Sequence, residues 1–179
     1  ARGTNLSGGV FVTGGAGFIG SHLVDRLVGA GEAVTVFDDF STGSADNLAQ
    51  AIGSVRIVRG TILDADAVHR AMSGCDRVYH LAVQCVRRSL GNPMQNHEVN
   101  ATGTMNVLEA ARRHRVRRFV YCSSSEVYGN SSEALLDEAT TVCRPVTVYG
   151  AAKYAGELYA DAYRQTYGLP TTVVRPFNA

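Results

Sequence analysis

Short apolar runs alternate along the chain with longer stretches in which apolar residues recur every three or four positions. The runs fall at 10–13, 33–37, 55–58, 77–81, 119–122 and 171–174. They are rich in Val, Ile, Phe and Tyr and too short for helices, so each predicts a buried strand. The amphipathic stretches between them predict helices over 18–28, 44–51, 65–72, 94–114 and 149–167. Strands alternating with helices imply parallel pairing through right-handed crossovers. The expected fold is α/β, a doubly wound parallel sheet in the order 3-2-1-4-5-6, with ligands outside the carboxyl ends of the strands. Three polar loops leave that edge, at 84–92, 123–141 and 175–179.

The first run stops at glycines spaced three apart, Gly14, Gly17 and Gly20, and a helix pattern begins at once with Phe18 and Ile19. Glycine permits a sharp turn and lets a pyrophosphate approach the backbone without a Cβ in the way. The helix start then offers free N–H groups and a positive dipole end to the phosphates. The second run ends at Asp38, where a carboxylate can accept hydrogen bonds from both hydroxyls of an adenosine ribose. Strand, turn, helix, strand and acid together make a Rossmann-type dinucleotide site. Asp39 competes with Asp38, but Asp38 directly ends the apolar run. No arginine immediately follows the pair, which favours NAD over its 2′-phosphorylated form.

The chain has 179 residues, enough for one domain with a core, here assigned to 10–179. Residues 1–9 are polar and glycine-rich, and are expected to be a flexible tail. Hydrophobic residues at 45% and charged residues at 18% suit a globular α/β protein. A net charge of +1 argues against nucleic acid and a membrane surface as partners. The cations Arg112, Arg113, Arg115, Arg117 and Arg118 gather at the end of a predicted helix, where they suit its dipole. No apolar run approaches the roughly 20 residues of a membrane-spanning helix. Cys75, Cys85, Cys122 and Cys143 form no CxxC pair, which predicts reduced thiols and a cytoplasmic setting. The five histidines share no ligand spacing, so no metal is expected.

Tyr149 and Lys153 are four apart on the last predicted helix and therefore share a face. Tyrosine, with an ordinary pKa near 10, is a poor base at neutral pH. A nearby ammonium favours the phenolate, so the pair can remove a proton from a substrate hydroxyl while a hydride leaves its carbon. The fifth strand runs into Ser123-Ser124-Ser125-Glu126, hydroxyls at the edge where a substrate would sit.

Together the segments Thr13–Gly20, His80-Leu81-Ala82, Asn100–Thr104, Ser124–Gly129, Tyr149-xxx-Lys153 and Arg175-Pro176-Phe177-Asn178 resemble the extended short-chain dehydrogenases. More narrowly, they resemble the NAD-dependent epimerase/dehydratase group that acts on nucleotide sugars. The resemblance implies a bound NAD touched by Gly14, Gly17, Phe18, Ile19, Gly20, Asp38, Leu81, Ala82, Tyr149 and Lys153. It implies oxidation at C4 of a UDP-, dTDP- or GDP-linked hexose, with Tyr149 as base, Lys153 on the nicotinamide ribose and Ser124 orienting the 4-hydroxyl. Asn100 would lie near the active site. The 4-keto intermediate would then be re-reduced, or lose water or carbon dioxide. The resemblance also implies a homodimer packed through the helices over 94–114 and 149–167, and a substrate domain beyond residue 179.

Glu126 discriminates among these outcomes. Dehydratases and decarboxylases of the group carry a carboxylate here that removes the C5 proton, whereas many epimerases carry a small or apolar residue. Glucose-type dehydratases place an aspartic acid before it, and Ser125 departs from that. The expected reaction is therefore dehydration or decarboxylation, with 4-epimerisation or NAD binding without turnover as alternatives. Thr61 stands where relatives usually have an aspartate for the adenine amine. Asp64 reads as a helix cap. Arg87 and Arg88 can contact a phosphate or a sugar carboxylate.

Overall fold

The computed structural model describes residues 8–132 and 135–177. Six strands, β1 (Gly9–Thr13), β2 (Val34–Asp38), β3 (Val55–Arg59), β4 (Cys75–His80), β5 (Arg118–Cys122) and β6 (Thr171–Val174), form one sheet in the order β3-β2-β1-β4-β5-β6. All pair in parallel, β1 aligning Val10 with Val34 on one side and Phe11 with Val78 on the other. The helices are α1 (Phe18–Gly29), α2 (Ala65–Ala71), α3 (Val86–Gly91), α4 (Pro93–His97), α5 (Gly103–Arg113) and α6 (Val148–Tyr167). The strand order reverses between β1 and β4, and a crevice opens there at the carboxyl edge.

The pleat explains why the central runs are apolar throughout. Successive side chains point to opposite faces, and both faces are covered. Val10 and Val12 pack with Val24, Val36 and Leu48 on the α1 side. Phe11, between them, packs with Phe37, Met72, Val78, Leu108 and Phe119 on the α2–α5 side. Each such fully buried side chain contributes about 1.5–3 kcal/mol. The edge strands β3 and β6 are only half-buried, as a lower apolar content requires.

Strand and helix ends shift by a residue or two from the sequence reading, and four differences are larger or bear on the site. Gly9 belongs to β1, its N–H donating to Gly74 O at 2.9 Å, so the tail ends before it; residues 1–7 lie outside the described residues. The helix expected over 44–51 shrinks to one 3-10 turn, Ala45–Leu48, capped by Ser44. The loop over 84–92 contains α3. The helix expected over 94–114 is one path with a π segment at Glu98–Thr102 between α4 and α5. Asn92 caps its start by accepting from Gln95 N at 3.1 Å, and Pro93 fills the first position. Such π turns cluster at functional sites. Here the segment carries Asn100, whose buried amide accepts from Gln84 N at 3.0 Å and donates to Gln84 O at 2.9 Å. Asn96, one turn earlier, donates to the same carbonyl at 3.0 Å. Two buried asparagines thus hold the loop after β4 against the helix. Asp64 caps α2, accepting from Ala67 N at 2.9 Å.

Candidate active site

Two cavities open at the carboxyl edge and meet at Gly14, Gly17, Thr42, Leu81 and Val83. The glycine loop is their shared wall. Gly14 has φ +69°, and a Cβ there would lie 2.6 Å from Ala82 N. At Gly20 a Cβ would collide with the Gly14 carbonyl oxygen. Those two glycines are required by the fold itself. Gly17 differs: its φ of −78° suits any residue, and the nearest atom to an added Cβ is Gly14 O at 3.3 Å. What glycine provides at this position is open room at the helix start, in a wall common to both cavities. The α1 N-terminus has no side-chain cap and no acidic residue in its first turn. A dinucleotide pyrophosphate fits both observations.

Asp38, buried, lines the first cavity and accepts from Ala16 N and Phe40 N, both at 2.9 Å. Two of roughly four lone-pair sites on the carboxylate are left for a ribose. Asp39 is exposed and spends one oxygen on Ser41 N at 2.8 Å. Ala82 joins Asp38 in the first cavity, Leu81 lines both, and Phe18, Ile19 and Gly20 line the second.

The second cavity holds Ser124, Glu126, Tyr149 and Lys153 together. Local chemistry puts them there. Ser124 caps a 3-10 turn over Ser125–Tyr128, accepting from Glu126 N at 3.2 Å. Thr147 caps α6, accepting from Gly150 N at 2.9 Å, so Tyr149 falls in the first turn. A Cβ on Gly150 would lie 2.7 Å from Glu126 O, and this close approach sets Tyr149 beside the serine turn. Farther along, a Cβ on Gly156 would collide with the Tyr121 hydroxyl, which donates to Lys153 O at 3.2 Å.

The electrostatics correct one expectation. Burial raises the pKa of Tyr149, and a hydrogen bond with Ser124 works against it. The remaining influences, from Cys122, Glu126 and Cys85, also raise it. Lys153 is buried, with its Nζ 4.4 Å from the Tyr121 ring centroid, and burial lowers its pKa to about 8. Within the chain itself the Tyr–Lys spacing therefore does not lower the phenol's pKa.

Two buried networks under the cleft escaped the sequence reading. Thr104 Oγ1 donates to Asn100 O at 2.7 Å and so accepts from His80 Nε2 at 3.0 Å. Thr13 Oγ1 accepts from Leu81 N and Ala82 N, each at 3.2 Å, and so gives its proton to His80 Nδ1 at 2.7 Å. One assignment satisfies every group: a neutral His80 with its proton on Nε2. Burial, helped by the Lys153 charge, holds its pKa down at about 3. In the second network Ser123 Oγ donates to Glu157, which also receives Arg175 Nε at 2.9 Å and Nη2 at 2.6 Å. Arg175 Nη1 donates to Tyr128 Oη at 2.9 Å. This clamp fixes the segment after β6, placing Pro176 and Phe177 in the cavity wall. Polar residues at strand ends, Thr13 and His80, and asparagines spaced four apart were the available signals.

Arg88 lines the first cavity and donates to Ser41 O at 3.4 Å, whereas Arg87 lines neither. Neither arginine stands with Tyr149, so the expected contact with a sugar carboxylate has no support there. Cys85 and Cys122 line the second cavity, which the sequence did not suggest. Among the described residues no helix is long and apolar enough to cross a membrane.

The chain is 42% identical to a dTDP-glucose 4,6-dehydratase of Streptomyces niveus over 94% of its own length and 53% of that protein's. A UDP-glucose 4-epimerase of Thermotoga maritima, solved with UDP-glucose, superposes with a TM-score of 0.88 at 34% identity, covering 93% of this chain and 54% of that one. A dTDP-glucose 4,6-dehydratase of Streptomyces venezuelae, solved with NAD, gives 0.86 at 36% identity, with 93% and 54% covered. The chain thus spans about half the length of the relatives it matches. Residues 10–179 match the family described as NAD dependent epimerase/dehydratase, and the chain belongs to that family.

Proposed function

We propose that this chain is the NAD-binding, acid–base half of a nucleotide-sugar lyase. Its substrate is a UDP-, dTDP- or GDP-linked sugar, oxidised at C4 to a transient ketone that then loses water or carbon dioxide. The observation that carries this reading is Glu126, which lines one cavity with Ser124, Tyr149 and Lys153. NAD, when bound, supplies the hydride acceptor and a positive charge that favours the Tyr149 phenolate.

The remaining steps belong to the chain's own side chains. Tyr149 takes the proton of the 4-hydroxyl, with Ser124 orienting that group. The buried Lys153 holds the nicotinamide ribose. The ketone acidifies C5, and Glu126 removes that proton so that the 6-hydroxyl departs, with the proton Tyr149 took, as water. The hydride removed from C4 then goes to C6 and Glu126 returns its proton to C5, leaving no net oxidation. With a 6-carboxylate, the ketone instead makes a β-keto acid that releases carbon dioxide, and the hydride returns to C4. A second reading, 4-epimerisation by an isomerase, rests on the overall pattern shared with the UDP-glucose 4-epimerases and makes Glu126 incidental.

We extend the proposal to a cytoplasmic homodimer. Four free thiols support a reducing setting. Leu90, Met94 and Leu158 are exposed on α3, α4 and α6, helices that pack together, and burying them would favour association.

Mass spectrometry of UDP-, dTDP- and GDP-hexoses and UDP-glucuronate after incubation with protein and NAD tests the reaction. Loss of water or carbon dioxide is the expected result. An isomer of unchanged mass as sole product would select the epimerase, and NAD binding without any conversion a module lacking turnover. Tyr149→Phe should lower turnover by about 10²–10⁴ while the protein still binds NAD, read by titration calorimetry.

A further inference from the structure

We infer that Gln84 recognises the adenine ring of the dinucleotide, pairing its side-chain amide with the edge that carries the ring's amine. The inference rests on the NAD reading above. Gln84 lines the first cavity, yet is only 5% exposed. Its Oε1 is buried and has no hydrogen-bond partner among the described residues. Buried polar atoms are nearly always paired, so this orphan calls for a partner, and a turn of the terminal amide presents it to the cavity that Gln84 lines.

The orphan does not come from a loose loop. Gln84 N donates to Asn100 Oδ1 at 3.0 Å, and Gln84 O accepts from Asn100 and Asn96 at 2.9 and 3.0 Å. The backbone is fixed, and only the soft terminal torsion of the amide is free to choose its partner.

The surroundings identify the partner. Ile62, Leu63 and Val99 give the same cavity apolar walls, which suit a flat base better than a sugar or a phosphate. Asp38 is committed to the ribose in the reading above, and Thr61 Oγ1 accepts from Leu63 N at 3.3 Å. Thr61 has no carboxylate to offer an amine. A glutamine amide can do so, accepting from the 6-amine of adenine while donating to N7.

The test compares NAD with nicotinamide hypoxanthine dinucleotide, in which an oxygen replaces that amine. By calorimetry the unmodified protein should bind NAD about tenfold more tightly. Gln84→Met, close in size but unable to pair, should bring the two affinities to within about twofold by weakening NAD alone. A Gln84→Met protein that keeps the tenfold preference overturns the inference, as does an unmodified protein with no preference. If neither dinucleotide binds, the cofactor reading falls and takes this one with it. Should the variant fail to fold, a 7-deazaadenine analogue of NAD tests the same pairing on the unmodified protein. Affinity equal to that of NAD would overturn it, and a several-fold loss would support it.

Discussion

On the β1–β2 side of the cleft, the ligand space is bounded by the glycine loop, the start of α1 and the carboxylates of Asp38 and Asp39. On the β4–β6 side it is bounded by the side chains of Ser124, Glu126, Tyr149 and Lys153, held by buried networks beneath them. Backbone geometry makes the first side, and long-range side-chain pairing makes the second. The two should therefore fail differently. A change on the glycine side breaks the chain path or the phosphate contact, whereas a change on the other side loosens positioning while the fold persists.

The largest effect is expected at Gly20. Its missing Cβ is space already taken by the Gly14 carbonyl, which is backbone and cannot swing away. Gly20→Ala should cost about 3 kcal/mol or more, read by urea unfolding. A variant as stable as the parent would show that the loop relaxes and that the glycine side is less rigid than its geometry implies.

The same contrast explains how legible each side was in the sequence. The glycine loop, Asp38 and the Tyr149–Lys153 pair are local patterns, and the strand order follows from the alternation of elements. The supports for the catalytic side are not local. Thr13 and His80 are 67 residues apart, Ser123 and Glu157 are 34 apart, and Glu157 and Arg175 are 18 apart. No periodicity marks such pairs, because each partner alone reads as an ordinary polar residue. The π segment at Glu98–Thr102 was hidden for another reason: an extra residue in one turn hardly disturbs an amphipathic pattern. The raised Tyr149 pKa was hidden as well, because spacing fixes a shared face but not burial.

Next in size is the clamp at Glu157. Its carboxylate is buried and faces the Arg175 guanidinium, whose side chain is 17% exposed. Glu157→Gln leaves that cation without its counter-charge, which should cost about 3 kcal/mol. Because the clamp sets Pro176 and Phe177 in the wall of the second cavity, the proposed turnover should fall in this variant more than NAD affinity does. Equal losses in both would mean that the two sides of the cleft are not mechanically separate. Replacing both partners by apolar residues of similar size should recover much of the stability.

His80 sharpens the comparison through pH. Its pKa is about 3 in the folded protein, against 6.5 ordinarily. Below 6.5 the unfolded chain takes up a proton that the folded protein does not accept until near 3. The unfolded state therefore binds more protons in that window, and stability falls as pH falls through it. Between pH 7 and 5 this should amount to about 2 kcal/mol. His80→Gln should flatten the dependence in paired urea titrations, and an unchanged slope would remove His80 as its source.

The smallest expected change in stability separates the two functions of glycine on the same loop. Gly17 has an ordinary φ of −78°, and its added Cβ would stand 3.3 Å from Gly14 O, a contact that a few tenths of an ångström relieves. Gly17→Ala should therefore unfold within about 1 kcal/mol of the parent, near the ordinary cost or gain of exchanging glycine and alanine. The methyl, however, enters the wall shared by both cavities, at the uncapped start of α1, where a pyrophosphate must approach the amides. Affinity for NAD should drop by about tenfold or more while stability holds, since a displaced phosphate loses charge-assisted hydrogen bonds. Gly20→Ala and Gly17→Ala, three residues apart, then divide fold from binding. If Gly17→Ala bound NAD as tightly as the parent, the pyrophosphate would not lie against this helix start, and the glycine spacing would serve only the turn.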